Sequence, residues 1–214
     1  MLNLLKPGDT FSILNLLFGF VSMFFILYRD YVMVSIFVLL SALSDGVDGI
    51  VARKFGSGKL GENLDSISDF SSFSISPSLL ALSTYQNIAL IPPIFVYLAC
   101  SALRLSSFYI FKRKRTFIGM PTPAAGLLIT VSAVTFHHLP SIILLLLILS
   151  VLMVSNIRYP KPDKPIGICA LLIILSYIAC HLLPCGHLEI YSTYMLLAGC
   201  LIYLAFGPLY AKYL

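Results

Sequence analysis

Long stretches of this chain, 12–28, 116–157 and 190–211 among them, carry no charged residue at all. No other feature restricts the possible folds as much. A segment that crosses a bilayer needs roughly 20 mostly apolar residues, and unpaired peptide groups cannot face lipid. The uncharged runs therefore read as membrane helices. Only 11% of the residues are charged and 59% are hydrophobic, against about 25% charged in soluble domains. The N-terminal apolar stretch has no small-residue cleavage site and further apolar segments follow it, so a spanning helix is expected there, not a secretory signal peptide.

Punctuation divides the runs. Tyr28-Arg29-Asp30 ends a first helix, Gln86-Asn87 and Pro92-Pro93 mark a turn, and His137-His138-Leu139-Pro140 and Pro184-Cys185-Gly186 break the later segments. Gly and Pro clusters interrupt helices. The expected fold class is an all-α integral membrane protein, a bundle of about eight transmembrane helices near 12–28, 32–53, 63–85, 88–111, 121–137, 140–156, 166–183 and 190–211. Several are short, so six or seven is the alternative. With eight spans, Lys6, Lys54, Lys59, Lys112 to Arg115, Arg158, Lys161, Lys164 and Lys212 fall on one side and only Arg29 on the other. Cytoplasmic loops are the ones rich in Lys and Arg, which puts both termini inside the cell. The net charge of +5 then belongs to a membrane face that attracts anionic headgroups, and nucleic acid is not needed to explain it. The five cysteines lack metal-ligand spacing and read as packing residues. One domain is expected over 1–214, with no internal repeat.

Four aspartates stand out. Asp45 and Asp48 close the second helix, and Asp65 and Asp69 open the third. Spacings of i, i+3 and i, i+4 put each pair on one helix face. The short connection between the helices makes them antiparallel neighbours, so the pairs meet near the inner surface. Converging carboxylates in a low-dielectric setting must protonate or hold something cationic. All-oxygen donors suit Mg²⁺ or Mn²⁺, and two such ions suit phosphoryl chemistry. The competing reading is a solvated loop whose acids pair with Arg53, Lys54 and Lys59. Gly49 and Ala52 leave room for a ligand, Gly56, Gly58 and Gly61 form a loop able to meet a phosphate, and Arg53 can clamp one in two-pronged geometry.

Read in order, Asp45-x-x-Asp48-Gly49-x-x-Ala52-Arg53, seven residues, then Gly61-x-x-x-Asp65-x-x-x-Asp69 resembles the signature of the CDP-alcohol phosphotransferase family. That resemblance implies that Asp45, Asp48, Asp65 and Asp69 hold two divalent cations, Mg²⁺ or Mn²⁺, and that Asp69 is also the base for the acceptor hydroxyl. It implies a CDP-lipid site lined by Asn15, Gly49, Ala52, Arg53, Ser57, Gly58 and Gly61. Phe11 to Phe20, Gly119 to Ala125 and Met153 to Pro160 resemble stretches of the phosphatidylserine synthase branch, whose acceptor is L-serine. The similarity covers about 11–160, the expected catalytic core. The helices near 166–211 are extra.

Those synthases carry a second arginine where this chain has Ser107. Serine's carboxylate wants a fixed cation, and Arg104, well inside a helix, is the candidate; Arg115 could add a contact. Ser72, Ser74, Ser76 and Ser78 either line a polar path for the acceptor or bond to backbone. The implied activity is transfer of a phosphatidyl or archaetidyl group from a CDP-lipid to serine, in the cytoplasmic membrane with the site facing the cytoplasm, by a protein that is often a homodimer. The alternatives are glycerol 3-phosphate or inositol phosphate as acceptor and, more remotely, a cation-coupled transporter.

Overall fold

A computed structural model describes residues 7–55, 60–108, 116–136, 138–161, 163–183 and 186–212. Among them, helices α1 (Pro7–Leu27), α2 (Tyr31–Phe55), α3 (Gly61–Phe70), α4 (Ser76–Tyr85), α5 (Ile91–Phe108), α6 (Thr122–Thr135), α7 (Leu139–Val154), α8 (Lys164–Leu182) and α9 (Leu188–Tyr210) form the molecule. A π-helical turn, Ser71–Ile75, joins α3 to α4 without a break, where the Ser76 N–H reaches back to the Ser71 carbonyl. Counting α3, the π turn and α4 as one rod, eight rods stand where the uncharged runs and their breaks predict them. Among the described residues, five helices are long and apolar enough to cross a membrane, while α6 and α7 are shorter apolar helices.

Local chemistry explains the breaks. After α1 the chain reverses through Arg29 at φ 56°, and Asp30 accepts the Met33 N–H at 3.1 Å, capping the first turn of α2. After α4, Gln86 takes the left-handed conformation, and Asn87 accepts the Ala89 N–H at 2.9 Å before α5. The helices pack pairwise, α1 on α2, α5 on α7 and α8 on α9, with α6 against α2, α4 and α9. Val34, Leu39, Phe73, Leu80, Leu128 and Leu146 lie wholly inside. Phe20, Leu27, Phe95, Leu103, Val151 and Phe206 are more than 60% exposed, an apolar exterior of the kind that suits lipid.

Two features were not expected. One is the π turn. The other qualifies the all-α reading: β1 (Thr116–Ile118) and β2 (Arg158–Pro160) pair antiparallel, Phe117 opposite Tyr159. This ribbon ties the segment after α5 to the segment after α7, so both lie at the same end of the bundle. The four serines of the α3–α4 rod do not share one face. Ser72 donates to the Asn15 carbonyl at 2.9 Å, Ser76 meets Ser22 at 2.6 Å, and Ser74 contacts Ser101. They bind α1 and α5 to the rod; Ser78 is buried apart from those contacts.

Candidate active site

The site is built at one end of the bundle by the first half of α1, the end of α2, the middle and end of α3 and the end of α5. Carboxylate oxygens of Asp45, Asp65 and Asp69 all lie within 4.8 Å of one another. The fourth aspartate stands aside: Asp48 contacts the Ser12 hydroxyl and lies in the field of Asp9. The antiparallel pairing of α2 and α3 thus brings three of the four acids together and turns the fourth toward α1.

Asn15 is fixed from several directions. Its carbonyl accepts from Ser72 and, at 3.2 Å, from Ser41. Its Nδ2 donates to Asp69 Oδ1 at 3.1 Å, whereas its Oδ1 is buried with no hydrogen-bond partner among the described residues. The resemblance implies that Asn15 contacts the nucleotide; here one N–H of its amide is directed to Asp69, and its Oδ1 is open to a ligand. Gly19 permits this arrangement, because a Cβ there would lie 2.9 Å from the Ser72 Cα.

Arg104 is buried at 6% exposure, so its guanidinium does not snorkel to the surface. It lies in electrostatic reach of Asp69, Asp45, Asp65 and Tyr203, and its Cζ sits 5.6 Å from the Phe117 ring centroid. A cavity of about 290 Å³ opens beside it, lined by Arg104, Ser107, Phe117, Met153, Ser155 and Asn156. Three converging carboxylates against one guanidinium leave an excess of negative charge, and the donor set is oxygen throughout. The residues therefore fit a hard divalent cation.

Gly49 is exposed on α2 and Gly61 buried at the start of α3. Ala52 and Arg53 fall in the last turns of α2, with side chains outside the described residues, as are Ser57, Gly58 and Arg115 altogether. Sequence reasoning missed Asp9 and Ser12, both buried. The signal was present: Asp9, Ser12, Asn15, Gly19 and Ser22 recur every three or four residues in an otherwise apolar helix, one small, polar stripe that meets Asp48 of α2 through Ser12 and the α3–α4 rod through Asn15, Gly19 and Ser22.

Comparison with known proteins agrees with this geometry. A family model described as CDP-alcohol phosphatidyltransferase matches residues 7–203. The chain is 36% identical over 160 residues to a CDP-diacylglycerol–serine O-phosphatidyltransferase of Methanocaldococcus jannaschii, covering 73% of this chain and 75% of that one. It is 36% identical over 165 residues to an archaetidylserine synthase of Methanothermobacter thermautotrophicus, covering 72% and 70%. A Bacillus subtilis CDP-diacylglycerol–serine O-phosphatidyltransferase is 35% identical over 160 residues, covering 70% and 87%. With the acidic cluster at the bundle end and a family match running from α1 into α9, the chain belongs to the CDP-alcohol phosphatidyltransferase family.

Proposed function

We propose that this protein transfers the phosphatidyl or archaetidyl group of a CDP-lipid to the hydroxyl of L-serine and releases CMP. The observation that carries the reading is the meeting of Asp45, Asp65 and Asp69 beside the buried Arg104. Asp45, Asp48, Asp65 and Asp69 would hold two divalent cations, Mg²⁺ or Mn²⁺, which when bound offset the charge of the pyrophosphate and of the departing CMP. Asp69 takes the proton of the serine hydroxyl as its oxygen bonds to the lipid-bearing phosphorus and the bond to CMP breaks. Asn15 holds Asp69 in place through the 3.1 Å hydrogen bond. Gly49, Ala52, Arg53, Ser57, Gly58 and Gly61 line the CDP-lipid site, and Arg104, with Arg115, receives the serine carboxylate.

The whole chain acts as one membrane domain with a core over about 11–160, crosses the bilayer eight times, and keeps both termini and the active site on the cytoplasmic side of the cytoplasmic membrane. Two copies form a homodimer. A lipid substrate accounts for the position of the acids, since its headgroup lies at the membrane surface while its chains stay in the bilayer.

The test is CMP release by purified protein in detergent, with a CDP-lipid, a divalent cation and one acceptor at a time. Release with serine, abolished by EDTA and restored by excess Mg²⁺ or Mn²⁺, is the expected result. Release with glycerol 3-phosphate or inositol phosphate instead would overturn the acceptor and keep the chemistry. Replacing Arg104 with alanine removes a charge-assisted contact of about 1.5–3 kcal/mol. The KM for serine is then expected to rise at least tenfold while that for the CDP-lipid stays within a factor of about two. Equal rises in both would argue that Arg104 does not touch the acceptor.

A further inference from the structure

The ribbon carries residues into the site that the acidic motif does not include. Phe117 of β1 lies over Arg104, and Lys161, the residue after β2, places its Nζ 5.1 Å from the same ring centroid. An aromatic face attracts cations, so one ring orients two positive groups beside the acids. Three residues per strand cannot hold a ribbon in place by themselves, because isolated two-stranded pairs are marginal. Something else must fix Phe117.

That support comes from α9. The Tyr203 hydroxyl donates to the Pro160 carbonyl at 3.0 Å, and the Tyr203 and Tyr159 ring centroids are 5.7 Å apart. Tyr159, the cross-strand partner of Phe117, is 1% exposed and donates at 3.5 Å to the Leu204 carbonyl. Gly207 leaves the space that β2 fills: a Cβ there would lie 3.2 Å from the Tyr159 ring and 3.4 Å from Pro160. One helix face, Tyr203 to Gly207, therefore grips β2 through a hydrogen bond, a ring pair and a fitted backbone approach.

We propose that α9 is an arm of the acceptor site, in which Tyr203 and Gly207 are positioning residues that hold the ribbon, and with it Phe117, Arg104 and Lys161, in the arrangement that receives the acceptor's carboxylate. The inference rests on the reading of Arg104 as the acceptor contact. It gives the last helix, which lies beyond the acidic motif, a share in choosing the acceptor.

Tyr203→Phe keeps the ring pair and removes the Pro160 hydrogen bond. It is expected to raise the KM for the acceptor about three- to tenfold, with the KM for the CDP-lipid and the melting temperature unchanged. Gly207→Ala presses on the Tyr159 ring and is expected to move the same parameter in the same direction. Equal changes in both KM values, or a loss of stability without a KM change, would overturn the proposal. A second arm needs no acceptor. The chain contains no tryptophan, so Phe117→Trp introduces a single indole on the ribbon. Faster depolarisation of its fluorescence when Tyr203→Phe is added supports the arm; equal depolarisation refutes it. Failure of wild-type protein to use serine would count against the proposed function alone, because the fluorescence result stands whichever acceptor is used.

Discussion

Asp69→Asn is expected to lower kcat by about 10²–10⁴, the range that a positioned proton acceptor contributes, while CDP-lipid binding changes little. The substitution keeps the shape of the side chain and can keep a hydrogen bond to Asn15, so the rod need not move. What it removes is the negative charge and the site that takes a proton. Asp69 is 7% exposed and lies between Asn15 and the other two carboxylates, so water is poorly placed to replace it. Single-turnover CMP release and equilibrium binding of the CDP-lipid, measured on the same preparation, separate the two effects. Retained turnover would remove Asp69 from the role of base; lost binding with lost turnover would make it chiefly an anchor for the cation.

The second large effect concerns packing. A Cβ at Gly126 of α6 would stand 2.4 Å from the Phe73 carbonyl oxygen and 2.7 Å from its Cα. These are backbone atoms of the π turn, so no side-chain rotation relieves the clash. Gly126→Ala is expected to cost at least about 1–3 kcal/mol, the usual range for overpacking, and to lower the melting temperature by about 2–4 °C per kcal/mol for a chain of this size. Because the same rod carries Asp65 and Asp69, kcat should fall as well. Gly167→Ala is the control: nothing lies within 4 Å of a Cβ there, and alanine is the better helix former. Equal melting temperatures for the two variants would show that α6 and the π turn do not meet as described.

Much of this was legible in the sequence for a physical reason. Lipid imposes helices of a set length, so gaps in charge marked the helices and Arg29-Asp30 and Gln86-Asn87 marked their ends. Spacing along a helix predicts that all four aspartates meet, because a short connection leaves neighbouring helices little freedom, and Asp45, Asp65 and Asp69 do. It could not tell that Asp48 turns to Ser12, since that depends on how α1 is rotated against α2. The ribbon was hidden for a related reason. Thr116–Ile118 and Arg158–Pro160 are too short to show a strand period, and their partners lie about forty residues away. Tyr203 lies outside every motif and joins the site through that ribbon and through its proximity to Arg104. Serines spaced two apart, from Ser72 to Ser78, leave a lined path and bonding to backbone both open; the rod uses Ser72 on the Asn15 carbonyl, and Ser74 and Ser76 on serine hydroxyls of α5 and α1.

The π turn has a consequence for how the rod tolerates length changes. A wide turn is the footprint of one residue more than a regular helix would hold, and each residue of an α-helix advances the side chains by about 100°. Removing one residue within Ser71–Ile75 would let the rod wind as uninterrupted α-helix. In that turn five residues cover about the rotation that four cover in an α-helix, so the half bearing Asp65 and Asp69 would stay in phase with the half bearing Leu80 and Ala81. The surplus residue is absorbed where it stands. A one-residue deletion there should therefore lose far less activity than a two-residue deletion, which would turn the two halves apart by about 100°; equal losses from both deletions would show that the wide turn does not absorb the residue.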